Sequence, residues 1–343
     1  MIEDFYGNER VVRALEIMLA QQRIPKTLLL VGPEGIGKAT LARRLAAYLL
    51  GGKEEIERDD LSLPQNLAMM GEREKWSAEQ RAEDPLLLAS HPDFVTFPPD
   101  GPLRQISIQQ MRLLKELAQF KPLKGDRRVF LVDKIDRAGE QAANSLLKTL
   151  EEPPDHLMLI LTAQNIYDLL PTIRSRAVPL YLVPLQPEEM RSFVASRHLD
   201  EPERRIALAG GCPGIAISLD LEAYERRREA MLALLKVSAG VAPFGHWLQY
   251  SDSLGGGRQD KRLDDFLLVL YSLLADILAA HQHRDEIRNV DIRDELEQLA
   301  RQVSFDWIRK AVAITDELFG LLRRNIQKSI ALDAFAIELR GMS

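Results

Sequence analysis

Apolar positions recur at helical spacing over residues 9–22, where Val12, Leu15 and Leu19 share a face, and the pattern stops before Pro25. A continuous apolar run follows, Thr27 to Val31, closed by Gly32, and it predicts a buried strand. Gly37 to Leu50 returns to helical spacing, with Leu41, Leu45 and Leu49 on one side. Residues 51–85 carry many charges, a Gly51-Gly52 pair and few apolar repeats, and predict a partly flexible surface insertion. His91 to Phe97 reads as a second strand, Ile106 to Leu117 as a helix and Val129 to Val132 as a third strand. Glu140 to Leu150 reads as a helix stopped by Pro153-Pro154, and Leu157 to Leu161 as a fourth strand. Strands that alternate with helices predict an α/β domain with a parallel sheet.

Beyond about residue 184 the strand signals vanish. Pro187-Glu188-Glu189 opens a short helix, Glu203 to Ala209 gives another, and Gly210-Gly211-Cys212-Pro213-Gly214 interrupts the chain. From about 222 onward the pattern is helical, with Gly255-Gly256-Gly257 as a flexible connection. Phe266, Leu270, Leu273, Leu274 and Ile277 form an apolar stripe expected as helix core, part of it as a face for another subunit. Trp247 and Trp307 read as packing residues, and Arg323-Arg324 as a solvated helix end.

The 343 residues suffice for two or three domains. A net charge of −6 weighs against a protein that holds nucleic acid by itself through phosphate neutralisation. The single cysteine, Cys212, excludes an internal disulfide and any multi-cysteine zinc site. No apolar run reaches the roughly 18–20 residues of a bilayer span. The best candidate, Phe266 to Ala280, is short and contains Asp276. Met1 to Phe5 has no basic-then-apolar signal pattern. The expectation is a cytoplasmic protein that does not enter a membrane.

Gly32-Pro33-Glu34-Gly35-Ile36-Gly37-Lys38 has phosphate-loop spacing between a predicted strand and a predicted helix. Gly32, Gly35 and Gly37 let backbone N–H groups turn toward phosphate oxygens. Lys38 adds a positive charge, and the helix start adds its dipole. The full pattern places Ser or Thr next, as a magnesium ligand. Here that position is Ala39, and Thr40 comes one residue late, about 100° further round the helix. The loop suits ATP or ADP at a weak or vestigial site; it also suits an empty glycine turn.

Asp133 ends the third strand, where an aspartate can hold Mg²⁺. Lys134 follows it. A protonated lysine cannot act as a general base, a role worth about 10²- to 10⁴-fold. Asp136 sits two residues further on. After the fourth strand comes Pro171-Thr172-Ile173-Arg174-Ser175-Arg176. An arginine there could reach a neighbour's nucleotide, and such fingers are worth about 10³–10⁵ in rate. His281 and His283, two residues apart, do not face one metal on a helix; no metal-ligand set is assigned.

Four segments carry a resemblance: Gly32–Lys38, His91-Pro92-Asp93, Ala142 to Pro154 with its Leu146-Leu147-Lys148-Thr149-Leu150-Glu151-Glu152-Pro153 run, and Leu170 to Arg176. Together they resemble the subunits of bacterial DNA polymerase III clamp loaders, an AAA+ family. The resemblance covers about 1–220 well and continues more weakly, where Asn325 to Leu339 is similar to the last helix of a collar. It implies an AAA+ P-loop base domain with a parallel sheet at 1–184, a small helical lid at 185–221 and an all-α collar at 222–343. It implies a heteropentamer with gamma/tau and delta subunits that opens a sliding clamp and closes it on primed DNA, using ATP bound in the motors. Ser175-Arg176 then matches a Ser-Arg-Cys motif, with Ala177 for the cysteine, through which a non-motor subunit lends its arginine to the adjoining motor. Ala39, Lys134 and Gly214 favour the non-motor subunit, since motors carry a lid arginine that senses the γ-phosphate near position 214. The first domain lacks the four cysteines of zinc-binding relatives, which implies no zinc. An active ATPase of the gamma/tau type is the alternative, opposed by Ala39 and Lys134. A small-molecule phosphotransferase would account for the glycine loop but for neither 142–154 nor 171–176.

Overall fold

Five parallel strands form one sheet in the described residues: β1 (Thr27–Val31), β2 (Phe94–Phe97), β3 (Arg128–Val132), β4 (Leu157–Ala163) and β5 (Val178–Tyr181). Their order is β2-β3-β4-β1-β5. The structure, a computed structural model, describes residues 5–256, 263–321 and 328–341. The chain divides into two compact units, Met1–Leu199 with Gly211–Ile215, and Asp200–Gly210 with Ala216–Ser343.

β1 to β4 are buried along their whole length, which is why they read as unbroken apolar runs. The strand period of two sends Leu28, Leu30, Leu131 and Ile160 to one face, where they meet Leu15 of α1 (Glu9–Ala20) and Leu41 and Leu45 of α2 (Lys38–Leu50). The intervening residues Leu29, Val31, Phe130 and Leu159 pack on the opposite face.

The 51–85 segment folds into α3 (Lys53–Glu57), α4 (Pro64–Arg73) and α5 (Ala78–Glu83). Proline at the first helical position starts α4, and a Ser77–Gln80 capping box starts α5. Ile56, Asp59, Asn66, Met70 and Arg73 are its buried residues. α6 (Ile108–Leu117) and α7 (Glu140–Glu151) cover the second sheet face through Met111, Leu114, Leu146 and Leu150. A Ser107–Gln110 capping box fixes the start of α6, two residues after Ile106.

β5 is a strand that the sequence pattern does not signal. Val178 and Tyr181 face outward and Pro179 interrupts the run. As an edge strand paired with β1, it tolerates a residue that has no N–H to give. α8 (Pro171–Arg174) precedes it and α9 (Pro187–Ser196) follows.

The second unit is helical: α10 (Pro202–Ala209), the end of α11 (Pro213–Ser218), α12 (Leu221–Ser238), α13 (Phe244–Gly256), α14 (Leu263–His281), α15 (Arg293–Gln302), α16 (Phe305–Leu321) and α17 (Lys328–Arg340). The α14 stripe, Phe266, Leu270, Leu273, Leu274 and Ile277, lies in its core with Trp247 and Trp307. Asp276 is fully buried there, and its carboxylate accepts from the Arg288 N–H, the Asn289 N–H and Asn289 Nδ2. Gly255 and Gly256, expected in a flexible connection, instead form the end of α13; Arg323-Arg324, Gly257 and the start of the final helix at Asn325 lie outside the described residues. Among the described residues no helix is long and apolar enough to cross a membrane.

Candidate functional site

The glycine loop leaves the C-terminal end of β1 and enters α2 at Lys38. Gly35 (φ 73°) and Gly37 (φ 101°) both take left-handed backbone conformations, and Gly37 caps α2. Lys38 is buried, and its Nζ donates to the carbonyls of Gly32 (2.6 Å) and Pro33 (2.7 Å) in its own loop. Burial holds the Lys38 ammonium below the usual lysine range, partly opposed by the Asp133 and Glu34 carboxylates. Thr40 is the third residue of α2 and half-buried.

Asp133, at the end of β3, is buried and accepts from Thr162 Oγ1 at 2.6 Å. The same hydroxyl oxygen accepts the Lys134 N–H at 2.7 Å. Lys134 has φ 57°, and its Nζ forms an ion pair with Glu34 of the glycine loop. Gln164 Nε2 donates to the other Glu34 oxygen at 3.0 Å. Burial works to raise the Glu34 carboxyl, but Lys134, with Arg137 and Lys38, outweighs it and the group lies below its ordinary value. Asp136 is half-buried on a single turn, Ile135–Arg137, and burial raises its carboxyl.

Position 214 has a steric role. The Gly214 N–H donates to the Gly35 carbonyl at 2.7 Å, and a Cβ on Gly214 would sit 2.9 Å from that oxygen. An arginine cannot occupy this backbone arrangement. The approach is mutual: a Cβ on Gly35 would stand 2.9 Å from the Ile215 nitrogen. Gly35→Ala is expected to cost about 1–3 kcal/mol, from strain at positive φ and this contact. Gly139→Ala, at φ −65° with open space around it, serves as the control. Thermal unfolding of the purified chain checks the pair; equal melting temperatures would contradict the close approach.

Ser175 and Arg176 lie elsewhere. α8 ends at Arg174, and Arg176 stands two residues before β5. β5 runs parallel to β1 with Val178 beside Leu28 and Tyr181 beside Val31. Arg176 therefore sits at the N-terminal end of the strands, whereas the glycine loop sits at the C-terminal end. The five residues of β1 alone separate them by roughly 16 Å, at about 3.3 Å per residue. Arg176 Nη1 donates to the Thr172 carbonyl (2.9 Å) and Ser175 Oγ (3.1 Å), and Nη2 donates to Glu151 Oε1 (2.5 Å). Ala177, where the motif has cysteine, is buried in the sheet core and anchors the turn.

The structure thus brings Gly32, Gly35, Gly37, Lys38 and Asp133 together and keeps Ser175 and Arg176 apart from them. Glu34, Thr162, Gln164 and Glu151 contribute contacts that the sequence reading did not assign. A threonine inside the apolar run Leu157–Ala163 was the one readable sign of Thr162.

A parallel sheet with a glycine loop between β1 and α2, and an aspartate at the end of β3, is the fold of a P-loop AAA+ domain. The chain belongs to the DNA polymerase III delta subunit family, whose profile matches residues 7–186. The resemblance read from the motifs is thus borne out for the family. DNA polymerase III subunit delta' of Escherichia coli is 30% identical over 219 residues, 63% of this chain and 63% of that protein. The subunit delta' of Pseudomonas aeruginosa is 31% identical over 223 residues, again 63% of each. The tau subunit of Escherichia coli is 28% identical over 188 residues, 55% of this chain and 26% of the relative. The matched region spans less than two thirds of the length of each of these relatives.

Proposed function

We propose that this chain is a delta-prime-like, non-hydrolysing subunit of a bacterial clamp loader, which helps place a sliding clamp on primed DNA. It lends Arg176 to nucleotide held by an adjoining gamma/tau motor. The observation that carries this reading is the position of Arg176, partly exposed at the opposite end of the sheet from its own glycine loop. A phosphate that meets it belongs to another chain.

The state of the chain's own loop supports the same reading. Gly35, Gly37 and Lys38 fit a phosphate group, so weak binding of ATP or ADP is consistent with them. They do not fit metal-assisted hydrolysis. Ala39 has no hydroxyl to offer Mg²⁺, and Lys134 fills the place of a base while its ammonium is paired with Glu34. Loss of a general base removes about 10²- to 10⁴-fold. The alternative, an active gamma/tau-type ATPase, has the tau relative in its favour and Asp136 as its candidate acid–base group.

The wider assignment follows the same reading. It comprises an AAA+ base at 1–184, a lid at 185–221 and a collar at 222–343. The collar joins gamma/tau and delta subunits in a cytoplasmic heteropentamer without zinc. ATP turnover of the reconstituted loader, with Arg176 intact and removed, tests it.

A further inference from the structure

We propose that Glu151 is a positioning residue for Arg176, holding the guanidinium ready for an anionic oxygen of a neighbouring chain's nucleotide; this rests on the finger role proposed above. Glu151 is the last residue of α7, a helix pinned to the sheet by Ala142, Ala143, Leu146 and Leu150. Its carboxylate takes one N–H of Arg176 Nη2 at 2.5 Å. The Thr172 carbonyl and Ser175 Oγ take the two of Nη1, at 2.9 and 3.1 Å. Ser175 gives its own proton to the Thr172 carbonyl at 3.1 Å, so its oxygen is left to accept from the arginine.

Three of the five guanidinium donors are thereby committed within the chain. Among the described residues no hydrogen bond holds Nε or the second Nη2 proton, and free guanidinium N–H groups suit phosphate recognition. A long side chain on an exposed turn would otherwise sample many rotamers, and each encounter would have to order it again. A carboxylate on a rigid helix removes that step, and the electrostatic pair is oriented before the partner arrives.

The opposite role is also chemically conceivable. A carboxylate bound to the arginine could compete with phosphate and restrain it. The two roles differ in the sign of the effect. The experiment measures kcat and KM for DNA-stimulated ATP hydrolysis by the loader, reconstituted from this chain with gamma/tau and delta subunits. Glu151→Ala is expected to lower kcat roughly tenfold with KM for ATP unchanged, the scale of one ordered arginine side chain. Glu151→Gln, which keeps shape and a neutral acceptor, is expected to fall between, and Glu151→Asp to recover part of the loss. Combining Glu151→Ala with Arg176→Ala is expected to be no slower than Arg176→Ala alone, since Glu151 acts through the arginine. A kcat that rises or stays constant in Glu151→Gln, while Arg176→Ala lowers it, overturns the positioning role and leaves the finger intact. Additive losses in the double variant likewise overturn it. An unaltered rate in Arg176→Ala overturns the finger reading and this proposal with it. Co-elution of each variant with the complex excludes a folding defect as the cause.

Discussion

Replacing Arg176 by alanine is expected to slow ATP hydrolysis at the adjoining motor site by roughly 10³-fold, the lower end of what such arginines supply. In the proposed role the guanidinium would neutralise charge that builds on the transferring phosphoryl group, and alanine would leave that charge uncompensated. Arg176→Lys is expected to recover little, because a lysine has one cationic point and no planar pair of donors. Stability should barely change. The ion pair with Glu151 joins side chains that are 31% and 48% exposed, and exposed pairs contribute about 0–1 kcal/mol. Single-turnover hydrolysis in the reconstituted loader reads the effect. A variant that assembles normally and hydrolyses at the parent rate would contradict the assignment.

Arg73→Ala is expected to give the largest loss of stability, about 3–5 kcal/mol, because it strands a buried carboxylate. Arg73 and Asp100 have side chains only 6% and 7% exposed. Arg73 Nη2 donates to Asp100 Oδ2 at 2.8 Å and Nε to Oδ1 at 3.1 Å, while Nη1 reaches Asp84 Oδ2 at 3.1 Å and Nη2 the Asp84 carbonyl at 2.5 Å. The guanidinium also lies 4.4 Å over the Trp76 ring. One side chain therefore ties the end of α4 to the residue that follows α5 and to the turn after β2. Without it, Asp100 keeps the Gly101 N–H at 2.7 Å and loses its cation. Pairing Arg73→Ala with Asp100→Asn should recover part of the loss, since the remaining group is then neutral. Thermal unfolding of the full chain measures both. A melting temperature unchanged by Arg73→Ala would show that the insertion is held by other contacts.

What the sequence disclosed follows from how each feature is stabilised. β1 to β4 are legible because strands buried on both faces leave unbroken apolar runs. β5 is not, since an edge strand with outward Val178 and Tyr181 and an internal proline has neither a run nor an alternation. The helices of 51–85 escape notice for a different reason. α3 rests on a single buried apolar residue, Ile56, and α4 and α5 are tied by the charged Arg73, which in a linear reading looks like solvated surface.

The candidate site divides in the same way. Ala39 and Lys134 stand out because a fixed spacing makes a missing hydroxyl and a missing acid visible. What Lys134 does instead is invisible, because its partner Glu34 lies 100 positions away in sequence. In the sequence Gly214 shows only as the lack of an arginine, and the structure adds that its lack of a side chain lets the backbone approach Gly35. Glu151 was within the most recognisable run of the chain, yet only the turn of α8 toward the end of α7 gives it a partner. That Arg176 stands at the far end of the sheet from the glycine loop required the strand order, which no motif encodes.

The most direct measurement is ATP turnover by the purified chain alone, beside its Lys38→Ala variant. The account predicts no turnover above background and no difference between the two, because Ala39 and Lys134 leave the loop without a metal hydroxyl or a base. Sustained hydrolysis by the parent chain that disappears in Lys38→Ala would contradict it and identify a motor.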